Sequence, residues 1–314
     1  WQGAVNEFEA ALQLFPDNDT TKQLLAEGYE YLGTEYASSG RLQDSVNIYK
    51  KAMDLYPERA SAYKAIAVVA QSAGMIKEAQ EHLVRASELS PNDPEIYLNM
   101  GNLSIQNNDF ANAITLYSLS LKLSPSWSTA YAGRGAAYSG LGDYEKAMSD
   151  YIEAIRLNPK NATFYVDRAK VYIKKGDYKR AIMDTSVAIR IDSKLLQAYE
   201  NRGIAYLNLG NYNKAIKDLS DAIGIKPSAQ LLDNRGLAYI NLNQYDNALK
   251  DLEQSSKLDA EYALPYYRLG YVYQETGKKS EAIASYEKFL TLSQNDQLNA
   301  TAKAALDRLK TTVK

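Results

Sequence analysis

The stretch YENRGIAYLNLGNYNKAIKDLSDAI, residues 199–223, returns in similar form as LDNRGLAYINLNQYDNALKDLEQSS, residues 232–256. The shared Asn-Arg-Gly triplet aligns Gly203 with Gly236, and a small residue recurs in this register along most of the chain. Its positions are Gly33, Ala67, Gly101, Gly135, Ala169, Gly203, Gly236 and Gly270. A constant period of about 34 residues predicts a repeat architecture, which overrides the two domains expected from the length of the chain.

Each repeat is predicted to contain two helices. In the first helix a tyrosine, the small residue and usually a second tyrosine share one face, as Tyr131, Gly135 and Tyr138 do. Glycine or asparagine follows at the turn, where left-handed backbone is needed to end the helix. The second helix carries another small residue, and proline follows its end in most repeats. A two-helix unit buries its apolar face only by stacking on its neighbours, so the pattern predicts an all-α solenoid.

The sequence resembles the tetratricopeptide repeat family over nearly its whole length. The resemblance implies a right-handed superhelix whose first helices line a concave groove, and such grooves hold peptide segments or helices of partner proteins. We expect eight full repeats, a half repeat and a capping helix. The expected boundaries are 1–18 for the second helix of a truncated repeat, 19–25 for an insertion, 26–59, 60–93, 94–127, 128–161, 162–195, 196–228, 229–262 and 263–296 for repeats 1 to 8, and 297–314 for the C-terminal capping helix.

Both ends of the chain depart from the repeat. Val5, Phe8 and Leu12 are expected to face a missing neighbour, as in a fragment cut from a longer array. The insertion is expected to lengthen the next helix or to widen the turn. Asn295 and Asp296 predict the start of an amphipathic capping helix. Its predicted apolar stripe consists of Leu298, Ala302, Ala305 and Leu309.

Arginine precedes the small residue in four consecutive repeats, and each of these repeats carries an aspartate at one fixed position of its second helix. The pairs are Arg134 with Asp150, Arg168 with Asp184, Arg202 with Asp218, and Arg235 with Asp251. The other four repeats lack both residues. Because the two changes occur together in all eight repeats, we predict structural ion pairs between the two helices of a repeat. A row of ligand-binding arginines is the alternative.

Composition argues against most kinds of chemistry. With 36 Lys and Arg against 38 Asp and Glu, the net charge of −2 argues against nucleic-acid binding. The chain has no cysteine, and its one histidine, His82, occupies the repeat position of the paired aspartates. We therefore predict no catalytic residue, no metal ligand and no cofactor. We expect a soluble protein without membrane insertion. The cytoplasm is slightly favoured as its compartment, and the cell envelope stays open.

The predicted binding surface is the exposed face of the first helices, called the groove below. Asn99, Asn201 and Asn234 share one repeat position, and an amide side chain can both donate to and accept from a peptide backbone. This arrangement resembles the asparagine ladder of the O-linked N-acetylglucosamine transferase array, although only three of eight repeats have it. The predicted groove residues are Asn99, Asn102, Gln106, Lys170, Lys174, Asn201, Asn208, Asn234, Asn241, Tyr267, Arg268 and Tyr271.

The sequence thus predicts a non-enzymatic scaffold or adaptor that binds a protein partner through an extended peptide or a helix. Two alternatives stay open. One is a substrate-recruiting arm of a larger multidomain enzyme, of the glycosyltransferase-like type. The other is a structural scaffold that self-associates through the bare N-terminal half repeat.

Overall fold

The computed structural model describes residues 1–311 and is helical over most of them, with no strand in that range. The final residues of the predicted capping segment, 312–314, lie outside the described residues. The helices are α1 (Gln2–Leu14), α2 (Asp19–Ser38), α3 (Leu42–Leu55), α4 (Ala60–Ser72), α5 (Ile76–Leu89), α6 (Pro94–Gln106), α7 (Phe110–Leu123), α8 (Ser128–Gly140), α9 (Tyr144–Leu157), α10 (Ala162–Lys174), α11 (Tyr178–Ile191), α12 (Leu196–Asn208), α13 (Tyr212–Ile225), α14 (Ala229–Asn241), α15 (Tyr245–Leu258), α16 (Ala263–Glu275), α17 (Lys279–Leu292) and α18 (Asp296–Thr311).

These helices form two compact units, one spanning Trp1–Asn158 and one beginning at Pro159. Within each unit a helix packs mainly on its neighbours in the chain, and its apolar residues form a series of small clusters rather than one core. Even-numbered helices from α2 to α16 are the first helices of repeats, and odd-numbered helices from α3 to α17 are the second helices. The predicted all-α solenoid class is confirmed.

The turn inside each repeat adopts left-handed backbone. Asn108 and Asn243 both have φ of 57°, and the glycines at the equivalent turns have φ between 73° and 80°. Glycine adopts this conformation at little steric cost, and asparagine tolerates it better than most residues. The chain can therefore reverse directly from a first helix into a second helix.

The small residue of each first helix admits a large side chain from the second helix. A Cβ added at Gly101 would lie 2.8 Å from the Tyr117 ring, and one added at Gly270 would lie 2.7 Å from Tyr286. Tyr117 also approaches the next first helix, where a Cβ at Gly133 would lie 2.5 Å from its ring. Its hydroxyl donates to Asn102 Oδ1 at 2.7 Å. Real Cβ atoms do not approach this closely, so these glycines set the spacing between the helices.

The N-terminal helix packs against its successor. Val5 is buried, and Phe8 and Leu12 are partly buried against the cluster that contains Leu25 and Leu32 of α2. The prediction that Val5, Phe8 and Leu12 face a missing neighbour was wrong. These residues of α1 pack against α2, the helix that follows. Residues 19–25 lie within α2, which has 20 residues where later first helices have 13.

The last helix begins as its sequence indicates. Asn295 Oδ1 accepts from the backbone N–H of Leu298 at 3.0 Å, which satisfies one of the free donors of the first turn. Ala302 and Leu306 are the buried residues of α18, and they join a cluster with Phe289 of α17. Leu306 was not in the predicted stripe, whose other members, Leu298, Ala305 and Leu309, are only partly buried.

The structure brings the four arginine–aspartate pairs together. Arg134 donates from Nε and Nη2 to both carboxylate oxygens of Asp150 at 2.8 Å, and Arg202 does the same to Asp218 at 2.7 and 2.8 Å. The aspartates are buried, and the hydrogen bond to the carboxylate raises the pKa of Arg202. The pairs Arg168–Asp184 and Arg235–Asp251 have the same geometry.

Three of these arginines also hold the preceding repeat, which the sequence pattern did not predict. Nη1 of Arg134 donates to Ser118 Oγ at 3.1 Å, and Nη1 of Arg202 donates to Ser186 Oγ at 3.1 Å. Arg235 makes the same contact with Ser220 at 2.9 Å. Each such arginine therefore joins three helices.

We predict that Arg202→Met lowers the free energy of unfolding by about 3 kcal/mol, because it leaves the buried Asp218 carboxylate without a counter-charge. Adding Asp218→Leu should restore most of that loss, since Met100 and Leu116 occupy the same two positions in another repeat. Urea denaturation followed by circular dichroism measures both changes. A neutral single substitution, or a double variant no more stable than the single one, would show that the ion pair does not couple the helices.

Gly133→Ala should lower the free energy of unfolding by about 1–3 kcal/mol, because the new methyl group meets the buried Tyr117 ring. Gly224→Ala is the matched control, since a Cβ there meets no atom within 4 Å. It should raise stability by roughly 0.5–1 kcal/mol through the helix propensity of alanine. Thermal melts of the two variants that shift in the same direction would contradict this assignment of the close contact.

Candidate functional site

The predicted groove residues all lie on first helices. In the unit Trp1–Asn158 they are on α6, and in the unit beginning at Pro159 they are on α10, α12, α14 and α16. A side chain on this face can serve a ligand only if its polar atoms are not already used inside the chain.

On α6, two of the three predicted residues are exposed and bonded within the chain. Asn102 Oδ1 accepts from the Tyr117 hydroxyl, and Gln106 Oε1 accepts from Gln71 Nε2 at 3.0 Å. Asn99 is 9% exposed, and its Nδ2 has no hydrogen-bond partner among the described residues. Asn99 is thus the member of this set with an unused buried donor.

In the second unit the exposed groove residues Asn208, Asn241 and Lys170 each bond within their own helix. Nδ2 of Asn208 and Nδ2 of Asn241 each donate at 2.8 Å to the carbonyl one turn earlier in the same helix. Lys170 Nζ lies 3.1 Å from Asp167 Oδ1, and Lys174 is exposed. Such contacts on one helix face are exchanged with water or a ligand at low cost.

Asn201 repeats the arrangement at Asn99. It is 8% exposed, and its Nδ2 lacks a partner among residues 1–311. A buried donor without a partner costs about 1–3 kcal/mol, which a ligand carbonyl can offset. A half-turn of the amide exchanges nitrogen and oxygen, so either atom can be turned toward the groove. Asn234, at the same position on α14, is half-buried.

Arg268 and Tyr267 have partners inside the fold. Arg268 Nη1 forms an ion pair with Asp233 Oδ2 and donates to the Asp233 carbonyl at 3.0 Å. The Tyr262 hydroxyl donates to the same carboxylate at 2.8 Å. Asp233 is fully buried, and burial raises its pKa while the charge of Arg268 opposes the rise. The ring of Tyr267 packs 5.2 Å from that of Phe289.

Tyr271 is the aromatic groove residue that is open to a ligand. It is 38% exposed on α16. A flat, partly exposed ring with a polar hydroxyl is a common contact for peptide ligands. The Tyr271 hydroxyl interacts with that of Tyr245 on α15. Asn201 is therefore the predicted groove residue of the second unit with an unused buried donor.

A row of contacts between consecutive repeats borders the groove, and the sequence pattern did not reveal it. In each contact, the N-cap residue of one first helix meets a residue of the preceding first helix. That second residue lies three positions before the small residue of its helix. We call these contacts junction pairs. The polar junction pairs are Glu30–Arg59, Lys64–Asp93 at 3.0 Å and Asp233–Tyr262 at 2.8 Å. The apolar junction pairs are Leu98–Trp127 and Val166–Leu195, each within one cluster. The paired residues are 29 positions apart, which matches neither the helix period nor the repeat length of about 34 residues, so these periods do not predict the pairs.

Models of the tetratricopeptide repeat match residues 94–126, 128–161, 151–183, 196–228 and 264–296, and a model described as TPR repeat matches residues 236–277. Together they cover more than half of the chain. The chain belongs to the tetratricopeptide repeat family.

Solved structures of this fold are similar over long stretches. Cut9 in the APC/C hetero-tetramer Cut9–Hcn1 gives a TM-score of 0.69 at 19% identity, covering 98% of this chain and 58% of that one. A tetratricopeptide repeat protein from Parabacteroides merdae gives 0.59 at 20% identity, covering 80% and 98%. Yeast Tom70 gives 0.56 at 19% identity, covering 92% and 61%. At these identities the likeness concerns the fold.

One curated relative matches a shorter stretch. The Sol locus transcriptional repressor of Clostridium acetobutylicum is 30% identical over 82 residues, which is 26% of each chain. This tetratricopeptide repeat protein thus spans about a quarter of that relative and somewhat more than half of the Cut9 chain.

The tetratricopeptide repeats favour a protein-interaction module. Within residues 1–311, no three His, Asp or Glu side chains are grouped so that they could hold a metal ion. His82 Nε2 lies 3.7 Å from Glu78, and burial lowers the pKa of His82. None of the helices described is both long and apolar enough to cross a membrane.

Arg268→Met is expected to lower the free energy of unfolding by about 3 kcal/mol, because the buried Asp233 would lose its counter-charge. Asn241→Ala, on an exposed site of the neighbouring first helix, should change it by less than about 0.5 kcal/mol. Chemical denaturation of the two variants separates a residue that holds the fold from one that only lines the groove. Equal effects would mean that Arg268 is free to serve a ligand.

Proposed function

We propose that this tetratricopeptide repeat protein is a scaffold that captures an extended segment of a partner protein on the first helices of its second unit. The observation that carries the proposal is Asn201, whose buried amide has an unused donor on the first helix α12. Unused buried donors are rare in folded proteins, and a ligand that supplies an acceptor relieves the cost.

Two rows of asparagine support an extended ligand. Asn201 and Asn234 form one row, and Asn208 and Asn241 form a second row two turns further along the same two helices, α12 and α14. A peptide backbone offers carbonyl oxygens and N–H groups in alternation, and amide side chains can bond to both. Such contacts hold a chain with little regard to its sequence, so selectivity must come from other groove residues.

The two alternatives are a substrate-recruiting arm of a larger enzyme and a scaffold that self-associates. In a larger enzyme, the same groove would recruit a substrate protein, so the test below applies to that case as well. Self-association is favoured by Leu14 and Phe15, at the end of α1, which are 75% and 65% exposed. Light scattering on the parent and on Phe15→Glu tests it, and a parent that is monomeric at high concentration excludes it.

Selection from a displayed library of random linear peptides tests the proposed function, with affinities of enriched peptides measured by fluorescence anisotropy. A groove variant carries Asn201→Ala, Asn234→Ala and Tyr271→Ala. A control variant carries substitutions of exposed second-helix residues, namely Lys179→Ala, Met183→Ala and Lys217→Ala.

We expect the groove variant to bind enriched peptides at least about tenfold more weakly than the parent, while the control binds as the parent does. Circular dichroism melts establish that both variants are folded. Equal binding by the parent and the groove variant, or a loss confined to the control, would place the ligand elsewhere and refute the proposal.

A further inference from the structure

The junction pairs match in chemistry, with one exception. The match concerns the junctions that join two full repeats within one unit. In the polar pairs an acid meets a base or a tyrosine hydroxyl, and in the other pairs two apolar residues meet. The exception is the junction between α12 and α14, where Glu200 and Ser228 hold the two positions.

Within residues 1–311, Ser228 forms no hydrogen bond with Glu200. Its Oγ accepts from the backbone N–H of Leu231 at 3.2 Å, so the hydroxyl caps α14. Its side chain is also much shorter than those of Arg59 and Tyr262, which hold the same position elsewhere. The step from Gly203 to Gly236 is shorter by one position than the other steps of the series, so the loop before α14 is shorter as well.

Among residues 1–311 the Glu200 carboxylate has no hydrogen bond and no direct ion pair, and the charge of Lys170 acts on it from further away. It is half-buried, and burial raises its pKa, an effect that the charge of Lys170 opposes. Lys170 itself lies against Asp167, at 3.1 Å. By contrast, the equivalent carboxylate of Glu30 is bonded to Arg59 and accepts from Ser61 Oγ at 2.9 Å.

The next residue of α12 carries a second unused group. Asn201, adjacent on α12, is 8% exposed, and its Nδ2 has no partner within the described chain. One side chain thus lacks a donor, and its neighbour lacks an acceptor. A lysine or arginine of a bound peptide supplies both, the first from its charged side chain and the second from its own carbonyl oxygen.

We propose that Glu200 is a specificity-determining residue of the groove and receives a lysine or arginine side chain of the bound segment. The inference rests on the proposed function, and it gives the partner a chemical class. At the other charged junctions the chain supplies its own counter-charge. At this junction Lys170 acts on Glu200 without a direct ion pair, and we expect the partner to supply the bonded counter-charge, as Arg59 does for Glu30.

The test applies the peptide selection to three further variants. Glu200→Gln removes the charge and keeps the shape, and Glu200→Lys reverses the charge. Glu281→Gln, on an exposed site of α17, is the control for loss of one acid. Because the amide costs less to bury than the carboxylate, Glu200→Gln should melt at or above the temperature of the parent.

Peptides enriched on the parent should carry lysine or arginine at one constant position. Glu200→Gln should lower the affinity of these peptides about tenfold or more, and so should exchange of the basic peptide residue for methionine. The two losses of affinity should not add, because both changes remove the same ion pair. Selection on Glu200→Lys should favour an acidic residue at the same position. Glu281→Gln should bind as the parent does.

Two failures have different meanings. Enriched peptides that lack a basic residue, or that bind Glu200→Gln as well as the parent while the groove variant loses them, refute the role of Glu200 and leave the proposed function standing. Failure to enrich any peptide refutes the proposed function, and the inference about Glu200 falls with it.

Discussion

The close contact between the small residue of a first helix and the large side chain of the second helix is the constraint on which the structure depends. An added Cβ at Gly236 would lie 2.9 Å from Leu252, and one at Gly33 would lie 2.9 Å from Tyr49. The contact fixes which face of the first helix is turned toward its partner. The positions on the opposite face are left for polar residues, and these form the groove.

Polar contacts then join each repeat to its neighbours. The arginine–aspartate pairs join the two helices of a repeat, and Ser118 and Ser186 extend them to the preceding repeat. Junction pairs join consecutive first helices beside the groove. Stability in such an array is approximately a sum of local terms, so a mismatch at one junction is tolerated. Glu200 shows that tolerance, and under the proposed function its carboxylate selects a basic side chain of the ligand.

Much of the fold could be predicted because the repeat shows the same pattern eight times. The small residue, the turn and the arginine–aspartate exchange each recur in register. The junction pairs were missed because their chemistry changes from repeat to repeat, so no residue type recurs. Phe8 was misassigned because the stripe of a second helix does not reveal on which side its neighbour lies. Arg268 was assigned to the groove by register, but register does not show that Asp233, on the preceding first helix, forms an ion pair with it.

A crystal structure of the chain with an enriched peptide tests the central claim most directly. We expect the peptide to run across α12 and α14 in an extended conformation. Its lysine or arginine nitrogen should lie within about 4 Å of a Glu200 carboxylate oxygen, the range of an ion pair. A peptide bound along the second helices, or one in the groove that leaves Glu200 without a cation, would contradict the claim.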